Sequence, residues 1–342
     1  MKRVVVLCPG RASYTGEQLG SLAGIDDAPG AAELVEVLAE VDAARAARGE
    51  MPVRDMDAAT KFRSSFLQGH NAAPLIFSVT AYEALRLDPG KVEVVAVGGN
   101  SMGWYSALWV AGALPLPEAF RLIGTMGGMT RSGTIGGQVI YPVVDAEWRH
   151  VDEAEAAVHD ALERAAAAGL EAGDSIRFGG FRVLWGEDDA LDLIVGALPP
   201  RDLGRQQYPL RLLGNSAFHS PLLQQVSEAG QLELADLDLG APRHSLIDGR
   251  GRQWRPLASA PAALLDYTLG HQVTRTFDFA AVVRVALREY APDLVVTLGP
   301  GESLGGAVAQ VMIAEGWRGI TTRTWSCSTT TSPRRRSATW RS

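Results

Sequence analysis

A pentapeptide with a serine at its centre carries the clearest chemical signal in the sequence. Gly99-Asn100-Ser101-Met102-Gly103 follows the apolar run 92–98 and precedes a helical pattern over 104–112. A G-x-S-x-G turn between a strand and a helix is the setting of a nucleophile elbow, in which a sharp turn exposes the serine hydroxyl. The N-terminus of the following helix offers free N–H groups to a developing oxyanion. We therefore interpret Ser101 as a nucleophile.

A serine nucleophile needs a base, and His219 is the candidate among the six histidines of the chain. It lies in Ala217-Phe218-His219-Ser220-Pro221, shortly after the apolar run 210–213. Functional side chains of α/β proteins gather at such strand-to-helix junctions. Position alone leaves a plainer alternative open, in which His219 is a capping or half-buried structural residue.

The elements predicted around these residues are those of an α/β protein. Apolar runs predict strands at 3–8 and 93–97, and apolar residues at helical spacing predict helices over 31–47, 55–70, 74–87, 102–112 and 117–129. The pattern then changes, with strands predicted at 138–144, 174–178 and 181–185 and helices at 146–168 and 187–198. Alternation of strands and helices elsewhere favours a parallel sheet.

Composition excludes several classes of function. A net charge of −7 argues against nucleic acid as the main partner, and no apolar stretch reaches the length of a membrane span. The two cysteines, Cys8 and Cys327, provide neither a disulfide framework nor a zinc spacing, which suits a reducing cytoplasm. Residues 322–342 hold five arginines and no acidic residue, and we predict a disordered tail there that activity does not need.

Five segments of the chain match the motifs of one family in the family's order. They are Val5–Ser13, similar to F-P-G-Q-G-S; Asn71–Val79, similar to the T-Q-P-A helix start; Gly99–Leu116, similar to G-H-S-L-G-E-Y-x-A; Ala217–Leu223, similar to A-F-H-S-P-x-M; and Val295–Leu304, similar to E-x-G-P-G-x-x-L. The chain thus resembles the malonyl-CoA:acyl-carrier-protein transacylases and the acyltransferase domains of polyketide synthases. The resemblance implies an α/β-hydrolase-like core with a parallel sheet, formed by 1–133 and 205–321, and an inserted ferredoxin-like lid subdomain, 134–204.

The resemblance also implies the roles of the site residues. Ser101 would be the nucleophile and His219 its base, and the backbone N–H groups of Arg11 and Met102 would form the oxyanion hole. In this family a backbone carbonyl orients the base, and a glutamine stands nearby. That glutamine aligns with Thr268, while His271 and Gln272 are the neighbours that could support the base instead. The resemblance implies no metal and no permanent cofactor, only a phosphopantetheine thioester as substrate.

One departure from the family bears on the acyl group. Malonyl-type members carry an arginine in the helix after the elbow, and its guanidinium binds the substrate carboxylate through two hydrogen bonds. Met126 occupies that position here. Arg131 is five residues further on, roughly 140° around a helix, which makes it a poor replacement. A desolvated carboxylate without a partner costs several kcal/mol. We therefore predict a monocarboxylic acyl group rather than malonate.

Further departures surround the predicted site. Arg11 replaces a family glutamine and brings a positive charge to the mouth of the site, where it either binds an acyl carboxylate or a coenzyme A phosphate or faces solvent. Asn100 replaces a histidine, and Trp104 replaces a glutamate. Trp104 either lies near the entrance, where it would favour a longer or bulkier acyl chain, or packs at the helix surface. The predicted substrate-binding residues are Arg11, Asn100, Trp104, Met126 and Phe218.

The function predicted from the sequence is acyl transfer by a two-step mechanism. An acyl-CoA or acyl-carrier-protein donor would acylate Ser101, and the phosphopantetheine thiol of an acyl carrier protein would then take the acyl group, as in polyketide or fatty-acid biosynthesis. A basic patch near Arg177–Arg182 or Arg201–Arg211 could dock the acidic carrier protein. Two alternatives stay open: a thioester hydrolase with the same dyad, and a non-catalytic partner protein on the same fold.

Overall fold

The computed structural model describes residues 1–131, 133–323, 328–332 and 335–341. Its strands are β1 (Lys2–Cys8), β2 (Val92–Gly99), β3 (Gly137–Pro142), β4 (Ala172–Phe178), β5 (Phe181–Gly186), β6 (Arg201–Leu203), β7 (Gln206–Tyr208), β8 (Leu210–Arg211), β9 (Ser245–Ile247), β10 (Gln253–Trp254), β11 (Phe277–Asp278), β12 (Leu294–Thr297), β13 (Ser328–Ser332) and β14 (Arg335–Arg341).

The helices lie mostly where apolar residues recur at helical spacing. They are α1 (Ala32–Ala47), α2 (Val53–Asp57), α3 (Gly69–Ala84), α4 (Gly103–Val110), α5 (Leu116–Gly128), α6 (Asp152–Ala167), α7 (Asp188–Ala197), α8 (Gln224–Glu233), α9 (Pro261–Asp266), α10 (Gln272–Thr274), α11 (Phe279–Tyr290) and α12 (Ser303–Ala314). A π-helical turn, Tyr267–His271, joins α9 to α10.

The larger sheet has a parallel centre. Its strand order is β10-β9-β2-β1-β12-β14-β13, and the four strands β9, β2, β1 and β12 run parallel to one another. Residues 4–8 of β1 are completely buried, as expected for a central strand covered by helices on both faces. The predicted parallel sheet is confirmed.

Strand pairing brings the N-terminal segment beside the predicted elbow. Cys8 at the end of β1 pairs with Gly99 at the end of β2, and the Asn100 N–H donates to the Cys8 carbonyl at 3.0 Å. The carboxyl ends of neighbouring parallel strands meet at one edge of a sheet, where α/β proteins bind their ligands. Arg11 and Ser101 therefore lie at the same edge.

A second sheet covers that edge. Its order is β11-β4-β5-β3-β8, and all pairs are antiparallel except the β11–β4 pair. Along the chain β3, α6, β4, β5 and α7 follow the predicted βαββα order, and β8, which follows β6 and β7, adds a further strand to this sheet. Because β8 and β11 come from outside 134–204, the sheet extends past the limits that we predict for the lid, and those limits stay a prediction.

One predicted helix differs in the structure. The helix expected over 55–70 is absent among the described residues; α2 ends at Asp57, and only a short 3₁₀ turn, Ser64–Leu67, precedes α3. In the predicted tail, 335–341 pair antiparallel with β12 and 328–332 pair antiparallel with 335–341, whereas 324–327, 333–334 and 342 lie outside the described residues. The disorder of this tail stays a prediction.

The structure also bears on the two cysteines and on the length of the apolar helices. Cys8 is a buried free thiol, and Cys327 lies outside the described residues. Within the described part of the chain, none of the helices has both the length and the apolar character needed to cross a membrane.

Candidate active site

The elbow has the backbone geometry that the sequence predicts. Ser101 adopts a left-handed conformation with φ of 53°, which is uncommon for a non-glycine residue and typical of strained functional turns. A Cβ on Gly99 would lie 2.8 Å from the Trp104 nitrogen, and one on Gly103 would lie 2.7 Å from the Pro9 carbonyl oxygen. Both glycines are therefore required, because strand, turn and helix pack too closely here for a side chain.

The structure brings Ser101 and His219 together across 118 residues of sequence. The Ser101 Oγ lies 2.7 Å from the His219 Nε2, which is hydrogen-bond distance. The His219 Nδ1 lies 2.6 Å from the backbone carbonyl oxygen of Gln272. Because a carbonyl can only accept, Nδ1 carries the proton and Nε2 is free to accept the serine proton.

Gln272 holds both members of this dyad. Its backbone carbonyl orients His219, and its side-chain Nε2 donates to the Ser101 carbonyl at 3.1 Å. Its Oε1 accepts a hydrogen bond of 2.9 Å from the Tyr105 hydroxyl. The Gln272 carbonyl is available because α10 ends at Thr274, and the last carbonyls of a helix have no partner inside it.

The other two candidates for supporting the base do not contact it. Thr268 is fully buried, accepts a hydrogen bond from the Trp104 indole at 3.0 Å and donates to the Leu264 carbonyl at 2.7 Å. His271 packs against the Tyr267 ring. The expectation of base support from Thr268 or His271 is therefore wrong, and of the three candidates only Gln272 lies against His219.

Burial of His219 changes the pKa of its imidazole. The side chain of His219 is 4 % exposed and packs against Phe277, with ring centroids 5.3 Å apart. Burial lowers the pKa of His219 to about 4, because desolvation disfavours the imidazolium, and the hydrogen bond to Gln272 opposes that shift. The imidazole is thus neutral at pH 7, the form that a general base requires.

Two backbone N–H groups are available as oxyanion donors. Among the described residues, neither the Arg11 N–H nor the Met102 N–H donates a hydrogen bond within the protein. Met102 directly precedes α4, so its N–H belongs to a helix N-terminus. These are the two positions that the sequence analysis assigns to the oxyanion hole.

The dyad opens into a small cavity of about 60 Å³. Ser101, His219, Met102 and Tyr105 line it, and most of the remaining wall is apolar: Ala73, Met126, Phe218, Leu223, Val226 and Val273. Arg11 is the one permanently charged side chain among the described residues of the wall. Met126 and Phe218 therefore lie where the sequence analysis expects substrate-binding residues.

Arg11 lies at the cavity without an acidic partner. Its Nη2 donates to the Leu67 carbonyl at 3.1 Å, and its guanidinium lies 4.9 Å from the Phe218 ring centroid. Burial lowers the pKa of this guanidinium, and no ion pair compensates the desolvation among the described residues. By contrast Arg131 forms an ion pair with Glu50 at 2.6 Å and is absent from the described cavity wall, so it does not replace the missing arginine.

Two predicted substrate-binding residues lie elsewhere. The indole of Trp104 is completely buried against Tyr267, with ring centroids 5.1 Å apart, so its expected place near the entrance is wrong. Trp104 points into the core because its side chain lies on the face of α4 that packs against the 261–274 helix. Asn100 also does not line the cavity; its backbone carbonyl packs against Gly10.

Sequence reasoning missed Tyr105 and the side-chain role of Gln272. Both are polar residues within apolar helical patterns, and both are nearly fully buried. A buried polar group needs a hydrogen-bond partner, so their position on apolar faces was the available signal.

Two polyketide synthases match part of the chain in sequence. No protein-family model matches the chain. Over 233 residues, 68% of the chain, it is 28% identical to the polyketide synthase GfsB of Streptomyces halstedii, and over 241 residues it is 28% identical to the phenolphthiocerol synthesis polyketide synthase Pks15/1 of Mycobacterium marinum. The aligned segments span only 4% and 10% of these two proteins.

Solved structures resemble the chain over most of its length. An acyl carrier protein S-malonyltransferase from Vibrio cholerae matches with a TM-score of 0.69 and 19% identity, covering 91% of this chain and 94% of that one. A malonyl-CoA–acyl carrier protein transacylase from Burkholderia pseudomallei matches with a TM-score of 0.72 and 16% identity, covering 91% and 98%.

A domain of a large synthase has the same fold. The acyltransferase domain from the second module of the salinomycin polyketide synthase matches with a TM-score of 0.69 and 23% identity, covering 91% of this chain and 66% of that one. The resemblance stated from the sequence is therefore confirmed, and the chain has the fold of malonyl-CoA:acyl-carrier-protein transacylases and of polyketide synthase acyltransferase domains.

Proposed function

We propose that the protein is an acyltransferase that moves an acyl group from a thioester to the phosphopantetheine thiol of an acyl carrier protein through an acyl-Ser101 intermediate. The observation that carries this proposal is the 2.7 Å contact between the Ser101 Oγ and the neutral His219 Nε2 at the wall of a cavity. The similarity to an acyl carrier protein S-malonyltransferase supports a carrier protein as partner.

The first half of the reaction acylates the serine. The Ser101 Oγ attacks the thioester carbonyl as its proton passes to the His219 Nε2. The tetrahedral oxyanion receives hydrogen bonds from the backbone N–H groups of Arg11 and Met102. Collapse breaks the C–S bond, and His219 returns its proton to the departing thiolate.

The second half transfers the acyl group. His219 takes the proton of the carrier protein's thiol, and the sulfur attacks the ester carbonyl of acyl-Ser101. The second tetrahedral intermediate uses the same two donors, and collapse releases the Ser101 oxygen, which recovers its proton from His219. No metal or resident cofactor takes part in this scheme.

We further propose a short monocarboxylic acyl group. Met126 lies in the cavity wall where malonyl-type members carry their carboxylate-binding arginine, and a thioether offers a carboxylate no compensation for lost hydration. The small cavity, of about 60 Å³, favours a short acyl chain over a long one. Because Trp104 is buried in the core, it gives no reason to expect a long acyl chain.

Intact-protein mass spectrometry tests the proposal. The protein and its Ser101→Ala variant would be incubated with acetyl, propionyl, butyryl, malonyl and methylmalonyl thioesters of coenzyme A and of a carrier protein. We expect a lasting adduct with a short neutral acyl group that is absent in the variant and is discharged by a carrier-protein thiol. A malonyl adduct instead would assign carboxylate binding to Arg11.

The same experiment separates the alternatives. Loss of thioester without a lasting adduct, in a Ser101-dependent manner, would replace transfer by hydrolysis. Absence of any reaction across the panel would contradict the proposed function and favour a non-catalytic partner protein.

A further inference from the structure

The loop that carries His219 is held from the lid side by a chain of buried hydrogen bonds. The Ser175 hydroxyl, on β4, donates to the Phe218 carbonyl at 2.7 Å. The Gln138 side chain, on β3, donates to the Ser175 Oγ at 2.6 Å, and its Oε1 accepts from the Asn215 side chain at 3.1 Å. The chain thus begins and ends on the 215–218 segment and passes through two lid strands.

The two middle members of this hydrogen-bond chain are buried. Ser175 is 0% and Gln138 is 3% exposed, whereas Asn215 and Phe218 at its ends are half-buried. Polar side chains rarely lie so deep unless their hydrogen bonds are made, and each hydrogen bond made inside a protein is strengthened by the low local polarity. The Ser175 hydroxyl donates its one proton to the Phe218 carbonyl and accepts a hydrogen bond from the Gln138 side chain. All hydrogen bonds in this series therefore run in the same donor-to-acceptor direction, from Asn215 to Phe218.

The strand carrying Ser175 is irregular at that residue. The register of β4 against β5 shifts between Asp174 and Ile176, which leaves Ser175 as the extra residue of a β-bulge. Bulges redirect a side chain and recur beside active sites. A regular strand has no such extra residue, so the bulge is tied to the direction of this hydroxyl.

The segment that receives the hydrogen bond is strained. His219 has a φ of 57°, a left-handed conformation that is unfavourable for a non-glycine residue. Such a conformation persists only where its surroundings determine it. The Phe218 carbonyl directly precedes the strained residue, so the peptide plane that the lid fixes is the one that sets the direction of the His219 backbone.

We propose that Ser175 and Gln138 are positioning residues for His219, through which the lid sets the reactivity of Ser101. The inference rests on the proposed function only in requiring that Ser101 and His219 react as a dyad. Neither side chain lines the cavity within the described residues, so both act through the Phe218 peptide rather than on the substrate.

The test uses a reaction that depends on the dyad but not on the acyl donor. A fluorophosphonate probe modifies a base-activated serine by forming an O–P bond to Ser101 as fluoride leaves, and intact mass gives the rate. We expect Ser175→Ala to label about tenfold more slowly than the unmodified protein, since loss of one buried hydrogen bond is worth about 1.4 kcal/mol.

A matched control separates positioning from stability. Ser78→Ala, on α3, also removes a fully buried hydroxyl that donates to a backbone carbonyl, that of Pro74 at 2.8 Å. We expect it to lower the melting temperature as Ser175→Ala does while leaving the labelling rate unchanged. If Ser175→Ala fails to fold, Gln138→Met tests the same chain from its other end.

A double-mutant cycle shows whether the effect passes through the base. Ser175→Ala should have no effect on residual labelling in a His219→Ala background, because the group it positions is gone. Equal slowing in both backgrounds, or an unchanged rate in Ser175→Ala alone, would overturn the inference. A protein that labels in this way yet never accepts an acyl thioester would contradict the proposed function and leave the positioning role in place.

Discussion

The base determines how the reaction depends on pH. Only neutral His219 can take the serine proton, and burial lowers the pKa of this residue to about 4. The rate of Ser101 acylation should therefore be constant from neutrality down to about pH 5, halve near pH 4 and fall roughly tenfold per unit below that. Stopped-flow acylation, with circular dichroism as a control for acid unfolding, measures this limb. A limb centred near pH 6.5 would contradict it.

The side chain at position 126 determines whether a carboxylate is tolerated. Met126→Arg places a guanidinium in the apolar wall, and we expect the ratio of malonyl to butyryl acylation to rise by at least about tenfold, since a charge-assisted pair forms only with the acid. Met126→Leu, which keeps an apolar wall, should leave malonyl acylation at its original level. Equal rates for malonyl in all three proteins would exclude position 126 as the specificity determinant.

The sequence predicted the reacting residues better than their neighbours. The strand–turn–helix pattern alone indicates Ser101. His219 is indicated only together with the family resemblance, because its position alone leaves a structural role open. The support of His219 depends on a π-helical turn at 267–271, which inserts an extra residue into the helix and shifts the next turn. The family's glutamine position aligns with Thr268, whereas the residue that contacts His219 is Gln272, four residues later and directly after that turn.

At the scale of elements, the elbow requires the backbone at the start of α4 to lie directly against the backbone at the end of β1. An alanine Cβ at position 103 would lie 2.7 Å from the Pro9 carbonyl oxygen and closer still to that of Cys8. We expect Gly103→Ala to lower the free energy of unfolding by about 1–3 kcal/mol and to abolish labelling of Ser101. Urea denaturation and the fluorophosphonate assay measure both effects.

A second glycine gives the opposite expectation. Gly124 lies within α5, and a Cβ there would have no neighbour within 4 Å among the described residues. Gly124→Ala should raise the free energy of unfolding by about 0.5–1 kcal/mol, because alanine loses less backbone entropy in a helix. If Gly124→Ala lowers the free energy of unfolding instead, the space around a glycine Cβ does not predict the effect of an alanine substitution at either position.

The start of α3 shows why element boundaries escaped prediction. The sequence predicts a helix that begins at Pro74, whereas α3 begins at Gly69 and carries the proline inside. A proline removes the hydrogen bond to the carbonyl four residues earlier, that of His70. Arg45 on α1 replaces it by donating to the His70 carbonyl at 2.8 Å. A contact between helices, which local sequence does not reveal, thus allows the longer helix.

At the scale of the whole molecule, arginines of the two predicted basic patches form ion pairs with acidic residues. Arg182 is 7% exposed and forms ion pairs with Asp174 and Glu155 inside the lid. The basic docking patch predicted at Arg177–Arg182 is therefore wrong for Arg182. Arg211, in the other predicted patch, forms ion pairs with Asp188 and Asp192. Alternation along a strand could not distinguish a surface arginine from one inside an ionic cluster.

The C-terminal segment gives a prediction on the same scale. All described residues of the cavity wall lie between positions 11 and 273. A chain that ends at Thr321 should therefore acylate Ser101 at the rate of the full chain. Intact-mass kinetics on the two proteins, with melting temperatures as a control for folding, test this. A large loss of rate without a loss of stability would assign the arginines beyond residue 322 a part in binding the donor.

Gln272 gives the dyad a mechanical property. One residue contacts both the histidine ring and the serine backbone, so a displacement of the 261–274 helix carries base and nucleophile together and preserves their separation. A displacement of the lid acts on the histidine alone, through the Phe218 carbonyl. We therefore expect the distance between the Ser101 Oγ and the His219 Nε2 to respond less to motion of the 261–274 helix than to motion of the lid.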